Sequence, residues 1–344
     1  MMEKIILTKV NEIINFFINT NGLNLYRGHG CCTWKLLPAL FRHDEISAKN
    51  IERYDLNLGE NNEFFAKNLR LEGFADLKGT HLRIIEVRAL KTFLRNISSA
   101  GLPLLPKALD FAYKDRSFLE DKGNYISNDE LWDVWPDEEM LDYLALAQHY
   151  SLPTSLLDWS YNPFVAIFFA ASYNSSVTDK EKNEFMSIWL FDYDGFLSRK
   201  KMLNSNSDDY IIELNKFRVF SPSQTENRNL SAQKGCFTYI ARSPREVNLE
   251  DIFIPLDAFF IKIQKMANDK QNEKKEFRGT TINDYTWPVH QFETPLKEIL
   301  IPKHLGGELL SALKKMGVFY PTIYPNYESC VKQTSIDLQL GRTV

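Results

Sequence analysis

The stretch at residues 144–171, LALAQHYSLPTSLLDWSYNPFVAIFFAA, constrains the fold more than any other part of the chain. It joins two apolar segments, residues 141–147 and 164–171, through a short connection that is rich in polar side chains. Asn162 offers a side-chain oxygen to the first turn of a helix, and Pro163 suits the first helical position because its missing N–H would be unpaired there. The pattern predicts two helices, the second apolar nearly all round and therefore buried, with a rigidly held polar turn between them.

The polar turn carries six groups in quick succession: Gln148, His149, Thr154, Ser155, Asp158 and Ser160. This density favours a functional site, although a core helix pair with a satisfied polar connection explains it too. In that second interpretation His149 donates to a backbone carbonyl in the core, because buried polar groups are paired. Asp158 then caps the turn or pairs with Arg27, and such a pair is structural, since losing one partner leaves the other charge uncompensated.

A second motif, Tyr26-Arg27-Gly28-His29-Gly30, ends a predicted strand near the N-terminus. The planar guanidinium of Arg27 suits a phosphate or a carboxylate, and it equally suits a salt bridge that holds a loop. The glycines on either side of His29 permit a sharp bend or a close approach of a ligand to the backbone.

The remaining segments predict one α+β domain over residues 1–344, with a central sheet, an amphipathic helix at residues 3–19 and helical insertions at residues 45–85 and 98–140. Predicted strands lie at residues 185–193, 210–212, 217–220 and 296–302, and residues 233–240 are typical of a turn that enters a strand. Further helices are predicted at residues 86–97 and 303–316, and a charged loop at residues 268–275.

Composition narrows the classes of function. A net charge of −4 gives no overall electrostatic signature of nucleic-acid binding. Four cysteines in 344 residues do not form a disulfide scaffold, and no spacing of Cys or His is typical of a metal site. The second apolar helix is too short for a bilayer, and charged residues interrupt the apolar N-terminus. We expect a cytoplasmic protein with reduced thiols, no bound metal and no membrane partner.

Several separated motifs resemble the FRG domain family, which is named after a Phe/Tyr-Arg-Gly motif. Tyr26-Arg27-Gly28 resembles that motif, and residues 147–171 resemble the central block of the family, roughly AQHxGLPTRLLDWTxNPxxALxFA. Residues 228–237 and 296–325 are similar to later blocks, so the resemblance covers roughly residues 20–330. It implies a single FRG-type domain whose mixed or antiparallel sheet is flanked by helices.

Two positions depart from the family pattern. Ser151 stands where the family usually has Gly, and Ser155 stands where it usually has Arg. Any role of that arginine is therefore absent here or belongs to another residue.

A weaker resemblance, to the Arg–Ser/Thr–Glu layout of ADP-ribosyltransferases, implies NAD as the substrate. By this resemblance Arg27 anchors a phosphate or ribose, Thr154 and Ser155 belong to the nicotinamide pocket, and Gln233 occupies the third-strand position. An amide cannot act as a base, so Glu226 or Asp158 would supply the carboxylate. The implied NAD-binding residues are Tyr26, Arg27, Gly28, His29, Thr154 and Ser155, and the implied catalytic residues are Arg27, Gln233, Asp158 and His149.

The resemblances thus imply an NAD-dependent ADP-ribosyltransferase-like enzyme, a bacterial toxin or phage-defence effector that modifies a protein or nucleic acid. Two alternatives remain. His29, His149 and Asp158 also suit a hydrolytic nuclease or phosphoesterase. A module that binds a nucleotide or a partner without catalysis is the third hypothesis.

Overall fold

The computed structural model describes residues 2–42, 79–113, 134–173, 184–203, 208–222, 228–242, 254–278 and 292–339. Within them, one sheet is formed by strands β1 (Glu3–Ile6), β2 (Asn24–His29), β3 (Leu157–Ser160), β4 (Phe185–Asp192), β5 (Phe217–Phe220), β6 (Gly235–Ile240) and β7 (Leu296–Pro302). The strand order is β1-β7-β4-β2-β3-β6-β5, in which β1 and β7 are parallel and the other neighbours are antiparallel. The predicted α+β fold with a mixed sheet is confirmed.

Helices cover the sheet and its ends. They are α1 (Val10–Ile18), α2 (Gly79–Ser99), α3 (Ala108–Tyr113), α4 (Leu141–His149), α5 (Pro163–Tyr173), α6 (Tyr193–Leu203), α7 (Asp209–Leu214), α8 (Arg228–Gln233), α9 (Leu256–Arg278), α10 (Gly306–Lys315), α11 (Tyr320–Ile323) and α12 (Tyr327–Gln339). Short 3-10 turns lie at Ala39–Phe41, Glu138–Met140 and Lys303–Leu305. No helix in the described ranges combines the length and the apolar character needed to cross a bilayer.

Helix α5 packs against strand β2 on one face of the sheet, as its apolar sequence predicts. Phe168 and Ala170 are fully buried, and the Asn162 side chain accepts a hydrogen bond from the Phe164 N–H at 3.0 Å. Helix α5 lies so close to strand β2 that a β-carbon added to Gly28 would overlap the carbonyl oxygen of Ala166. The glycine in the strand is therefore required by packing, and the predicted helix cap is confirmed.

An aromatic cluster fills the other face of the sheet. Phe191 of β4 lies 5.3 Å from Phe217 of β5, and Phe217 lies 5.1 Å from Phe260 of α9, measured between ring centroids. All three rings are buried. Aromatic pairs at these distances stabilise a core beyond the area that they bury, so the sheet has an apolar layer on both faces.

A residue with an unusual backbone conformation lies just after the C-terminus of helix α4. Ser151 has φ 67°, its N–H donates to the carbonyl of Gln148, and the N–H of Leu152 donates to the carbonyl of Ala147. These two bonds form a Schellman motif, whose left-handed residue is usually glycine. The departure at Ser151 therefore falls at a position where glycine has a physical advantage.

Four predictions of secondary structure are wrong. The predicted helix at residues 3–19 is strand β1 followed by α1, because residues 3–6 pair in parallel with β7. The predicted strand at residues 210–212 lies in α7, and the predicted charged loop at residues 268–275 lies in α9. The polar turn between α4 and α5 contains β3, a strand in the interior of the sheet.

The insertions predicted at residues 45–85 and 98–140 lie partly outside the described residues. Within the described part they contribute α2, α3 and the turn at Glu138–Met140. Strands at residues 185–192, 217–220, 235–240 and 296–302 confirm the corresponding predictions. That the whole chain forms one domain stays a prediction.

Candidate functional site

The sheet separates between its two central strands, β2 and β3. Their ladder contains a single residue pair, Tyr26 with Ser160. In contrast, β4 pairs with β2 along Asn24–His29, and β6 pairs with β3 along Leu157–Ser160. Each strand is therefore held firmly on its outer side, while the two strands are free to part beyond the shared pair.

A cleft of about 360 Å³ is lined by residues from both of these strands. Helices α4 and α5 and the segment before β6 supply other parts of its lining. Six of the predicted site residues line it: Tyr26, Arg27, Gly28, His149, Asp158 and Gln233. These positions are far apart in the chain, so the fold brings together most of the predicted set.

Arg27 bridges the gap between the two strands. Its Nη1 lies 2.6 Å from the Asp158 Oδ1 and donates to the Asp158 carbonyl at 2.8 Å. The Arg27 side chain is only 10% exposed, whereas that of Asp158 is 55% exposed because it faces the open cleft. Although loss of water around Asp158 raises its pKa, the Arg27 charge and hydrogen bond outweigh this and lower the pKa below its usual value. Asp158 is therefore an anion in the cleft.

His29 is buried, contacts the Arg27 side chain and does not line the cleft. Arg27 Nε donates to His29 Nε2 at 3.0 Å, which requires an unprotonated Nε2. Burial and then the charges of Arg27 and Arg42 lower the pKa of His29 to about 3. The neutral imidazole thus orients the guanidinium, and the position of His29 outside the cleft lining gives no support to its predicted role in binding NAD.

Thr154 is fully buried and lies behind the cleft. Its hydroxyl donates to Gln148 Oε1, and Gln148 Nε2 donates to Asp158 Oδ1 at 3.0 Å. Thr154 therefore does not line the cleft, and its part in a nicotinamide pocket stays a prediction. The hydroxyl fixes the orientation of the Gln148 amide, and the amide positions the Asp158 carboxylate.

Ser155 also points away from the cleft, because the buried Glu86 of α2 holds it. The Ser155 N–H donates to Glu86 Oε1 at 2.5 Å, and the Ser155 hydroxyl donates to Oε2 at 3.1 Å. Trp135 Nε1 donates to the same Oε2 at 2.6 Å. Ser155 lines a separate, smaller cavity beside Trp135. Ser155 therefore does not line the cleft between β2 and β3, and its place in a nicotinamide pocket stays a prediction.

Gln233 ends α8 at the rim of the cleft. The Ser160 hydroxyl donates to the Gln233 carbonyl at 2.7 Å and accepts from the Asn162 N–H at 2.9 Å. The Gln233 side-chain amide donates to the Ile323 carbonyl at 3.5 Å, a long contact that leaves its oxygen able to accept. Glu226, the alternative carboxylate, lies outside the described residues.

The partly buried Tyr324 and the buried Cys236, which both carry an ionisable proton, lie near Asp158. Burial, followed by the Asp158 charge, raises the pKa of Tyr324 to about 12. Burial also raises the pKa of Cys236 to about 12, so its sulfur is a neutral thiol. The Tyr324 hydroxyl thus remains a hydrogen-bond donor, and Cys236 is a poor nucleophile. Burial lowers the pKa of His149, which is therefore a neutral imidazole at pH 7.

One side of the cleft is aromatic, and no sequence motif marks it. Trp34, Phe169, Tyr173 and Tyr324 line it. Their apolar character resembles that of core residues, and only the partial exposure of Trp34 and Tyr173 in the structure distinguishes them. Gln148 lies inside the central block, where its neighbours His149 and Asp158 were the more obvious chemical groups.

The described residues contain no cluster of side chains that could serve as a set of metal ligands. No group of three or more His, Cys, Asp or Glu side chains there is arranged to hold a metal ion. The functional groups in the lining of the cleft include one guanidinium, one carboxylate, one imidazole, two amides and exposed aromatic rings.

Comparison with known proteins finds one family model that matches part of the chain. The model of the FRG domain matches residues 102–179, a span that includes α4, β3 and α5. The central block of the resemblance is thus confirmed, whereas the Tyr26-Arg27-Gly28 motif lies outside the matched span. Neither the search of curated proteins nor that of solved structures found a match.

Proposed function

We propose that this chain, which carries an FRG domain at residues 102–179, binds NAD in the cleft between β2 and β3 and breaks its N-glycosidic bond. The observation that carries the proposal is the meeting of Arg27, Asp158 and Gln233 in one cleft of about 360 Å³. Small-molecule sites usually measure about 300–1,000 Å³. The cleft therefore has room for a nucleotide-sized part of the ligand, and the rest of the dinucleotide extends from its open side.

The proposed reaction places positive charge on a ribose. When the bond between the ribose C1 and the nicotinamide nitrogen breaks, nicotinamide leaves as a neutral molecule with the bonding electrons, and the ribose becomes cation-like. Asp158 is anionic and more than half exposed, so it suits the stabilisation of that charge. A nucleophile, water or a group on a protein or nucleic acid, then adds to C1 and releases its proton.

Neighbouring groups have supporting roles in this proposal. Arg27 holds a phosphate or ribose oxygen with Nη2, for which the described part of the chain provides no hydrogen-bond partner. The Gln233 amide oxygen accepts from a ribose hydroxyl. Gln148 keeps the carboxylate of Asp158 in position.

Nicotinamide release tests the proposal. Purified protein is incubated with NAD, and free nicotinamide is measured by chromatography for the wild type, Asp158→Asn and Asp142→Asn. Asn keeps the shape and the acceptor oxygen of Asp158 but removes the charge, so release should fall by about 10²-fold or more. Asp142 is an exposed residue of α4, and its substitution serves as the matched control.

Two results would contradict the proposal. If the wild type binds NAD and releases no nicotinamide, even with cell extract as a source of acceptor, the cleft is a binding site without catalysis. If Asp158→Asn releases nicotinamide at the wild-type rate, the carboxylate has no part in the reaction.

We extend the proposal to a toxin or defence effector, because an enzyme that consumes NAD or modifies macromolecules harms the cell that contains it. Induced expression in a bacterial host should arrest growth for the wild type and Asp142→Asn, and not for Asp158→Asn. Equal growth of all three strains at equal protein levels contradicts this extension.

A further inference from the structure

Two large aromatic side chains that line the cleft are partly exposed to solvent. Trp34 is 43% exposed and Tyr173 is 66% exposed, and both line the cleft. Their ring centroids lie 4.8 Å apart at an interplanar angle of 79°, which is an edge-to-face pair. Exposed aromatic rings that rim a polar cleft are typical of a ligand site.

The fold holds this pair in place. The backbone N–H of Trp34 donates to the Cys31 carbonyl at 3.1 Å. The centroid of the Trp34 ring lies 6.0 Å from that of the ring of the buried His29. Beneath Tyr173 lies Gly30, where an added β-carbon would come within 2.5 Å of the tyrosine ring. A glycine at this position thus lets the Tyr173 ring lie directly on the backbone of the loop.

We propose that the Trp34–Tyr173 pair is a stacking site for the planar heteroaromatic base of a nucleotide. The identity of the remaining part of the ligand rests on the proposed function, whereas the stacking itself rests on the exposed rings. Adenine and nicotinamide share the required chemistry, which is a flat aromatic ring joined to a ribose phosphate. The ribose and phosphate then lie towards Arg27 and Asp158, in the same cleft.

The polar lining of the cleft favours a nucleotide over an apolar ligand or peptide. A purely apolar ligand would remove water from Arg27, Gln148 and Asp158 and would not replace the hydrogen bonds that these side chains make to water. A nucleotide covers the rings with its base and offers acceptors and hydroxyls to those polar groups. Electron-rich rings also attract a positively charged pyridinium ring, so the oxidised nicotinamide gains an additional interaction.

Calorimetry with three small probes tests this inference. Adenosine 5′-monophosphate and nicotinamide mononucleotide each carry a base, whereas ribose 5-phosphate carries none. In Trp34→Leu, affinity for the base-carrying probe that uses this site should fall by about 10- to 100-fold, and affinity for ribose 5-phosphate should stay unchanged. The nucleotide that loses affinity identifies which base occupies the pair. Tyr327→Leu is the matched control, since Tyr327 is 93% exposed and does not line the cleft.

A second variant and a second readout keep the outcomes separate. Tyr173→Leu should reproduce the selective loss, and it carries the test should Trp34→Leu fail to fold. The inference is overturned when the wild type binds neither nucleotide, or when both variants bind both nucleotides as the wild type does. It is also overturned when affinity for all three probes falls equally. Nicotinamide release from NAD is measured separately with the same protein preparations. Selective loss of binding without release from NAD overturns the proposed function alone, and release with unchanged affinities overturns the stacking site alone.

Discussion

Glu86 makes the stability of the protein depend on pH between about pH 4.5 and 7. Burial is the largest influence on this carboxyl group and raises its pKa from 4.5 to about 7, against the hydrogen bonds from Ser155 and Trp135, which lower it. The folded state therefore binds a proton more tightly than the unfolded chain does. The resulting stabilisation is complete below pH 4.5 and is lost as the pH rises through 7.

The size of this effect follows from the two pKa values. The difference between 4.5 and about 7 corresponds to about 3 kcal/mol of unfolding free energy. The hydrogen bonds explain how the neutral acid is accommodated. A protonated Oε2 donates to the Ser155 hydroxyl while it still accepts from Trp135, and Oε1 accepts from the Ser155 N–H. All of these groups remain paired in the neutral form.

Urea unfolding of the wild type and Glu86→Gln across pH 4.5–8.5 measures the effect. Glutamine does not titrate, and its amide has a single acceptor oxygen for the two N–H donors that face Glu86, so the variant loses one hydrogen bond at every pH. The wild type should be the more stable protein at pH 4.5, and its advantage should shrink by about 3 kcal/mol by pH 8.5. A difference between the two proteins that stays constant with pH refutes the raised pKa and the reasoning from burial.

Substitutions at three positions test the packing around the cleft by urea unfolding. Gly28→Ala should lower the unfolding free energy by about 1–3 kcal/mol, because the new methyl group overlaps the Ala166 carbonyl oxygen; an unchanged midpoint means that α5 does not pack so closely on β2. Ser151→Gly should raise it by up to about 1 kcal/mol, since φ is 67° there, and a loss of stability would contradict the left-handed conformation. Asn162→Ala should cost about 1 kcal/mol through the lost cap, whereas Asn162→Asp should cost little.

Local patterns predicted those elements whose own residues determine them. The strand at residues 296–302 is a β-rich apolar run ended by proline, and the cap at Asn162 depends on contacts within a few positions. Strand β1 was missed because Ile5 and Ile6 fit a helical spacing and a strand equally well, and pairing with β7 decides between them. The short strand β3 depends on its position beside β6, which no local pattern contains.

The candidate site was predicted in part for the same reason. Arg27, Asp158 and Gln233 stand out by their chemistry, and the structure brings them together. Thr154 and Ser155 also stand out by chemistry, but their direction depends on Gln148 and on Glu86, the latter 69 positions away from Ser155 in the chain. Side-chain direction at such a turn is set by distant partners, so sequence spacing alone does not predict it.

Binding of NAD between β2 and β3 can be observed in a crystal of the protein soaked in NAD. We expect ligand density in the cleft between these strands, with a phosphate or ribose oxygen within hydrogen-bond distance of Arg27 Nη2 and the ribose beside Asp158. Density for NAD at another surface, or an empty cleft at a concentration that saturates binding in solution, would contradict it.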